Sequence, residues 1–111
     1  MEFDSNRPIY LQICDSICER ILAGVLKPEE RILSVRELGA ELGVNPNTVA
    51  RSYEKLTDEG VIQTRRGLGY FVCPDAPERV VSRERKEFLD NEWPKVLKRA
   101  ELLKINLKEL I

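Results

Sequence analysis

A mostly α-helical fold with one small β-hairpin and a short helical tail is the fold class that this sequence predicts. Four segments carry apolar residues at the spacing of a helix that buries one face. One segment, between residues 61 and 73, instead holds two short runs of β-branched and aromatic residues around a glycine-rich stretch, which is typical of a hairpin. A chain of 111 residues has room for about one domain with a small appendage, so we expect one modest core.

The first helix is predicted to open at Pro8, because proline suits the first turn of a helix. Its apolar face is expected to consist of Ile9, Ile13, Ile17 and Ile21. The helix should end near Gly24. Cys14 and Cys18 lie on or beside this face. We interpret them as buried apolar residues rather than as a metal or redox pair, since they have no CxxC spacing and the chain has no histidine.

A second helix is predicted to begin after Ser34, because Ser34 and Glu37 form an S-x-x-E capping box. Gly43 stands where a left-handed residue would end this helix. Asn45 then suits the N-cap of a third helix, and Pro46 suits its first position. Two short helices joined by so tight a turn form a helix-turn-helix.

The third helix is expected to run to about Glu59, with Gly60 as its stop. Its inward face is predicted to contain Val49, Ser52, Tyr53 and Leu56. Its outward face would present Asn47, Ala50, Arg51 and Glu54. Asn47 and Arg51 are four residues apart, so we expect them to point the same way.

The hairpin is predicted from strands at residues 61–64 and 70–73. The segment that joins them contains Arg65, Arg66, Gly67 and Gly69. Residues 31–33 are predicted to form a further short strand that pairs with this hairpin. A helix-turn-helix followed by a β-wing with a basic tip is a winged helix-turn-helix, and this arrangement is suited to entering the grooves of double-stranded DNA.

The tail is predicted to be a separate unit, because two prolines lie between residues 74 and 77. We therefore divide the chain into a winged domain, residues 1–75, and a helical tail, residues 76–111. Helical spacing in the tail is followed by Phe88, Leu89, Trp93, Val96, Leu97, Ala100 and Leu103. Pro94 either kinks this helix or begins a new one, and Asn106 is predicted to cap a last turn.

This tail is the predicted dimer interface. So short and apolar a helix is not stable alone in water, so it must pack on another surface. We expect it to pair with a second copy of the chain, and the alternative is that it packs back onto its own winged domain. A homodimer with two-fold symmetry would bind an inverted repeat in DNA.

Net charge does not by itself favour a nucleic-acid partner, since the formal charge is −1. Residues 1–75 hold nine Lys and Arg against twelve Asp and Glu, a net −3, and residues 76–111 hold nine against seven, a net +2. The prediction of DNA binding therefore depends on where the arginines lie. A winged domain that contacts other proteins is the alternative that this acidity favours.

The sequence does not predict an enzyme, a metal- or cofactor-binding protein, or a membrane protein. The chain has no histidine, no phosphate-cradling glycine loop and no paired carboxylates at a helical spacing that forms a cleft, so we predict neither an enzyme nor a cofactor or metal. No stretch approaches the ~20 apolar residues of a membrane span. The N-terminus lacks the pattern of a signal peptide, so a cytoplasmic location is expected.

The motifs gathered above resemble the GntR family of bacterial transcription regulators. The resemblance covers residues 7–73, through RPIYLQICDSI, ILSVRELGAELGVNPNTVARSYEKLTDEGVI and TRRGLGYFV. Within the family, NPNTVARSY and the short helical tail resemble the YtrA subfamily. The resemblance implies a dimeric bacterial repressor, often one that controls an operon for an ABC transporter. Neither the operator, the regulated genes nor any small-molecule effector can be named from the sequence.

The resemblance also implies roles for single residues. Arg36 matches the family arginine that contacts backbone phosphates, with Ser34 at the cap of its helix. Thr48 matches a threonine that also touches DNA. Gly67 matches the wing-tip glycine that enters the minor groove beside basic residues, here the two arginines that precede it.

The chain departs from the family at two positions where many members carry base-reading arginines, since it has Pro46 and Ala50 there. We therefore predict that Asn47 and Arg51 read bases, because asparagine suits adenine and arginine suits guanine. Ala50 is expected to touch a thymine methyl. The predicted DNA-contacting set is Ser34, Arg36, Asn45, Asn47, Thr48, Ala50, Arg51, Arg65, Arg66 and Gly67. The alternative for its arginines is a solvated surface charge.

Overall fold

The computed structural model describes residues 2–110 of the chain. Its elements are α1 (Ile9–Leu22), α2 (Val35–Leu42), α3 (Pro46–Asp58), β1 (Ile62–Arg65), β2 (Gly69–Val72), α4 (Ala76–Glu87), a π-helical turn (Phe88–Glu92), α5 (Trp93–Leu102) and α6 (Leu107–Leu110). The predicted fold class is confirmed, because helices dominate and a two-stranded antiparallel sheet follows the helix-turn-helix. In this described part, no helix has both the length and the apolarity that crossing a membrane requires.

Helix α1 packs one apolar face against α3. The buried side chains of this face are Ile13, Cys14, Ile17, Cys18 and Ile21. The interpretation of the two cysteines as buried apolar residues is thus confirmed. Ile9 departs from the prediction, since its side chain is 41% exposed in the first turn. Pro8 is the N-cap of the helix rather than a residue of its first turn.

The turn between α2 and α3 brings the two helices close together. Gly43 ends α2 in the left-handed conformation, with a φ of 68°, as predicted. The Val44 N–H donates to the carbonyl oxygen of Gly39 at 2.8 Å. A methyl group added at Gly39 would lie 2.8 Å from the Val44 carbonyl oxygen and 3.5 Å from Pro46. This crossing therefore has no space for a side chain at Gly39.

Helix α3 is the centre of the core. Its buried side chains are Val49, Ser52, Tyr53 and Leu56, as predicted. The Ser52 hydroxyl donates to the carbonyl oxygen of Tyr10 on α1 at 2.7 Å. The Tyr53 hydroxyl donates to the Leu33 carbonyl oxygen at 2.6 Å, and the Tyr53 ring meets the Tyr70 ring of β2 edge-on, with 4.8 Å between centroids. Burial raises the pKa of Tyr53, so its hydroxyl remains a donor.

The wing is a hairpin, as predicted, but both strands lie one residue closer to the turn than predicted. The ladder runs from the Ile62–Val72 pair to the Arg65–Gly69 pair. Only three residues remain in the loop, because the Leu68 N–H donates to the Arg65 carbonyl oxygen at 2.9 Å and closes the turn. Arg65 therefore lies on a strand and not at the tip of the wing.

The segment before α2 pairs with the wing, as predicted, but through residues 29–32 and without forming a regular strand. The three-residue strand that the sequence predicts here is reduced to one bridge between Arg31 and Phe71. Three backbone hydrogen bonds accompany this bridge: the Glu29 N–H donates to the Val72 carbonyl oxygen at 2.8 Å, the Val72 N–H to the Glu30 carbonyl oxygen at 2.9 Å, and the Ile32 N–H to the Tyr70 carbonyl oxygen at 3.0 Å.

The described chain forms two compact units, one that ends at Val80 and one that begins at Val81. The first unit thus extends five residues past the boundary predicted after residue 75. Ala76 and Val80 of α4 are fully buried in its core, which is why the first turns of this helix belong to it. The change from one unit to the other falls inside α4.

The helical path of the second unit passes Pro94 through a π-helical turn. The Trp93 N–H donates to the Phe88 carbonyl oxygen, five residues earlier. Segment α5 is then counted from Trp93, with Pro94 in its first turn. Glu92 and Trp93 both keep right-handed helical angles, so the helical path is continuous at Pro94 and the predicted start of a separate helix is not found. Asn106 caps α6, as predicted, by accepting the Lys108 N–H at 3.0 Å.

Gly39→Ala is expected to lower the free energy of unfolding by about 1–3 kcal/mol, the usual cost of adding a carbon to a tightly packed site. The Val44 carbonyl oxygen is backbone, so it cannot move aside without opening the turn. Urea unfolding measures this change. Ala40→Ser, at the exposed neighbouring position, is the matched control and should shift stability by less than about 0.5 kcal/mol. Equal stability of Gly39→Ala and the unmodified chain would show that the turn accommodates a methyl group.

Candidate nucleic-acid interface

A shallow depression between α2 and α3 brings together four of the predicted DNA-contacting residues. It has a volume of about 760 Å³. Its lining consists of Val35, Arg36, Ala40, Val44, Asn45, Pro46, Asn47 and Ala50. Arg36, Asn47 and Ala50 are exposed on this surface, which we call the α2–α3 depression. A cation, an amide and a methyl group around one recess can contact, respectively, a phosphate, a base edge and a thymine methyl of DNA.

The start of α2 holds Arg36 in place. The Glu37 N–H donates to the Ser34 hydroxyl oxygen at 3.1 Å, and the Ser34 N–H donates to the Glu37 carboxylate at 3.0 Å. Hydrogen bonds from Ser34, first from its backbone and then from its side chain, lower the pKa of Glu37 below its ordinary value. Glu37 thus remains a carboxylate bound to the cap, and Arg36 is exposed beside it.

The start of α3 uses one predicted contact residue as its cap. The Asn45 side-chain carbonyl oxygen accepts the Asn47 N–H at 2.8 Å, so the amide NH₂ of Asn45 is the part left to meet a ligand. The Thr48 N–H donates to the Asn45 carbonyl oxygen at 2.9 Å. Thr48 is half-buried, so it presents only part of its side chain.

Arg51 has a neighbour that the sequence did not indicate. Its guanidinium carbon lies 4.0 Å from the centroid of the Tyr10 ring, which belongs to α1. Asn47, by contrast, lines the α2–α3 depression. Both residues are exposed on the outward face of α3, as predicted, but they have different neighbours. The position of Tyr10 in the RPIYLQI motif carries no signal for this contact, which arises only where α1 crosses α3.

The two wing arginines differ in their surroundings. The Arg65 guanidinium lies over the Phe71 ring, 4.3 Å from its centroid, and Nη2 is 3.7 Å from a carboxylate oxygen of Glu29. Arg66 is exposed in the loop and forms no ion pair with any residue from 2 to 110. Gly67 beside it has a φ of 77°, and a methyl group there would meet no atom within 4 Å. The tip of the wing is therefore Arg66 and Gly67, while the charge of Arg65 is partly offset.

The predicted dimer residues form a largely exposed apolar surface on the second unit. Between 40% and 55% of the side chain is exposed at Phe88, Leu89, Val96, Leu97 and Leu103. The Trp93 ring is half-buried and lies 6.1 Å from the Phe88 ring, centroid to centroid. Ala100 differs from the rest, because it is buried in the single chain at 7% exposure. It therefore offers little surface to a partner.

The described residues contain few groups suited to other chemistry. No three His, Cys, Asp or Glu side chains from residues 2 to 110 are placed so that they could hold a metal ion. Cys73 is half-buried beside the end of β2, and burial raises the pKa of its thiol. A thiol with a raised pKa is less often in the reactive thiolate form.

These features define the chain as a winged helix-turn-helix protein of a regulatory class. It belongs to the family described as "Bacterial regulatory proteins, gntR family", whose profile matches residues 9–72. It is similar to the HTH-type transcriptional repressor YtrA of Bacillus subtilis, at 42% identity over 77 residues. That match covers 69% of this chain and 59% of YtrA, so the chain spans about three fifths of the length of that relative. The family predicted from the sequence motifs is confirmed, and the similarity to YtrA agrees with the predicted subfamily.

Two solved structures are also similar to this chain. A GntR family transcriptional regulator from Listeria monocytogenes is 31% identical, with a TM-score of 0.79, over 97% of this chain and 93% of that one. The AraR DNA-binding domain, solved in complex with operator ORR3, is 29% identical, with a TM-score of 0.58, over 66% of this chain and 86% of that one. The first likeness includes the tail, and the second is to a winged domain on DNA.

The Glu37 carboxyl is expected to titrate below 4.5, its ordinary pKa, because Ser34 hydrogen-bonds to its charged form. Ser34→Ala removes the hydroxyl, so the pKa of Glu37 should move back toward the ordinary value. The side-chain carboxyl carbon signal, followed by NMR against pH, measures both values.

The sign of the effect on stability follows from the lowered pKa. A carboxyl whose pKa is lower in the folded chain adds stability above its unfolded pKa and loses it as the pH falls through its folded pKa. The stability difference between the unmodified chain and Ser34→Ala should therefore shrink in acid. Glu37→Gln, which cannot titrate, is the control and should remove this pH dependence. A pKa of Glu37 at or above its ordinary value in the unmodified chain would contradict the assignment, since the Ser34 N–H that contributes most to the lowering is also kept in Ser34→Ala.

Proposed function

We propose that this chain is a sequence-specific, DNA-binding regulator of transcription that acts as a homodimeric repressor on an inverted-repeat operator. The observation that carries the proposal is the exposure of Arg36, Arg51 and Arg66 on the helix-turn-helix and wing. None of these three arginines forms an ion pair within residues 2–110. Arginines left with their full charge on a winged domain suit a polyanion.

The carboxylates of the first unit support this reading, because several of them are occupied elsewhere. Asp15 pairs with Arg7 at 3.0 Å, and Asp75 pairs with Arg79 at 2.7 Å. Glu37 is held in the cap of α2. These three carboxylates are held in specific contacts, and none of them forms an ion pair with Arg36, Arg51 or Arg66 within residues 2–110.

Each part of the surface has a separate role in the proposal. Arg36 and Arg66 contact backbone phosphates, while Asn47, Ala50 and Arg51 meet base edges in the major groove. Arg65 adds a weaker electrostatic contact, because Glu29 offsets part of its charge. The remaining predicted contacts, which position the backbone or meet DNA only in part, are Ser34, Asn45, Thr48 and Gly67. The AraR domain bound to its operator supports this use of a similar winged domain.

The tail is proposed to join two copies of the chain. Beside its exposed apolar residues it has a groove of about 370 Å³ between α5 and α6. The lining of the groove is Lys95, Val96, Arg99, Ala100, Leu103, Ile105, Leu107 and Leu110. Exposed aliphatic side chains at this density favour association. Two winged domains held together bind one DNA far more tightly than one alone. The resemblance to the YtrA subfamily further supports a transporter operon as the target.

Affinity for DNA falls as the salt concentration rises, so the slope of log affinity against log salt concentration is negative. Arg66→Ala is expected to make this slope less steep by about 0.9 per chain, the value for one lost phosphate contact. Arg65→Ala is the matched comparison. It should reduce the steepness of the slope by a smaller amount, because Glu29 already offsets part of the charge of Arg65. Titrations of random duplex DNA at several salt concentrations measure the slopes.

The same titration separates the proposal from its alternative. A winged module that serves only protein contact, which the net acidity of residues 1–75 would favour, should bind random duplex weakly and with a shallow slope. Identical slopes for Arg66→Ala and the unmodified chain would remove the wing tip from the proposed interface.

Light scattering at micromolar concentration is expected to give twice the mass of one chain. Leu97→Asp places a charge in the proposed interface, so it should shift the mass to that of a monomer and weaken operator binding at least tenfold, an avidity loss of the usual order. Val25→Asp, at a 63% exposed apolar position of the first unit, is the control and should stay dimeric. A monomeric mass for the unmodified chain would overturn the dimer proposal.

A further inference from the structure

The contact between Arg51 and Tyr10 suggests that a residue outside the helix-turn-helix takes part in sequence recognition. We propose that Tyr10 is a positioning residue that sets the base preference of Arg51. This inference rests on the proposed DNA-binding function. Tyr10 lies in the first turn of α1 and Arg51 in the middle of α3, so the two are joined only by the packing of these helices.

The backbone of Tyr10 is hydrogen-bonded directly to α3. The carbonyl oxygen of Tyr10 accepts the hydroxyl of Ser52 at 2.7 Å. Ser52 is fully buried and follows Arg51 directly in α3. The hydrogen bond therefore fixes the start of α1 against the part of α3 that carries Arg51. The Tyr10 ring extends from this fixed backbone, and the Arg51 guanidinium lies over it.

The contact leaves the hydrogen-bonding groups of Arg51 available. Its guanidinium carbon is 4.0 Å from the ring centroid, and Arg51 has no other side-chain hydrogen bond or ion pair within residues 2–110. A guanidinium that lies over a ring keeps N–H donors for a planar acceptor pair such as O6 and N7 of guanine. A seated side chain also loses less conformational freedom on binding, so more of its interaction energy appears as preference for that base.

Arg65 shows how the groups around a ring-bound guanidinium affect its availability. Its guanidinium also lies over a ring, that of Phe71, but Glu29 stands 3.7 Å away. A carboxylate so close competes for the same N–H donors that a base or phosphate would use. Arg51 on the Tyr10 ring has no ion pair with any residue from 2 to 110, so its charge and its donors remain available.

The test compares base preference among variants of the full chain. DNA is first selected from a random duplex library with the unmodified chain, and the positions at which Arg51→Ala relaxes the preference are identified. Tyr10→Leu should relax the preference at those same positions by about two- to fivefold, the fold-change that a surface cation–ring contact supplies. Tyr10→Phe keeps a ring and should restore the preference. In the Arg51→Ala background, Tyr10→Leu should have no further effect.

Other results would overturn the inference. If Tyr10→Leu retains the full preference while Arg51→Ala loses it, Arg51 reads DNA without its seat, and the proposed function still stands. If Tyr10→Leu weakens all sequences equally, or Tyr10→Phe fails to rescue, Tyr10 has only a structural role. If the unmodified chain selects no sequence, the proposed function fails and the inference fails with it. Thermal unfolding of each variant verifies that the compared chains are folded.

Discussion

The burial of one face of α3 is the constraint on which the rest of the first unit depends. Two side chains of that face tie it to its surroundings, since Ser52 bonds to the backbone of α1 and Tyr53 bonds to the backbone before α2. The Tyr53 ring also packs edge-on against Tyr70 of the wing. One helix is thus joined to three neighbours by buried contacts. Because its inward face is held in this way, its outward face is presented at a constant angle beside α2 and the wing.

The surroundings of each arginine determine how this acidic chain exposes its positive charges. The arginines of the candidate interface fall into two kinds, those seated on a ring and those left in solvent. The guanidinium groups of Arg51 and Arg65 lie over rings, whereas Arg36 and Arg66 are exposed and contact no ring within residues 2–110. Seated arginines suit a task that needs a defined direction, and solvated arginines suit attraction to a diffuse phosphate charge. The same residue type thereby serves two physical purposes on one surface.

The second unit differs from the first, whose apolar side chains are largely buried in a core. Much of the apolar surface of the second unit stays exposed in the single chain. Its helical path reaches Pro94 through the π-helical turn, in which the Trp93 N–H donates to the Phe88 carbonyl oxygen. That turn changes which residues share a face before and after it, so a single helical period cannot describe the whole tail. Ala100 illustrates the result: it belongs to the predicted stripe and yet is buried in the single chain.

The sequence by itself determined the order of the main elements and the ends of the helices that flank the tight turn. The capping box at Ser34, the left-handed Gly43 and the buried face of α3 all follow from local patterns, since caps and helical periods depend on residues within a few positions of one another. Only the tertiary structure decided that Tyr10 lies under Arg51, that Glu29 stands beside Arg65, and that the core reaches Val80. These contacts join residues far apart in the chain. Their geometry depends on how helices and strands cross, and no local pattern records that.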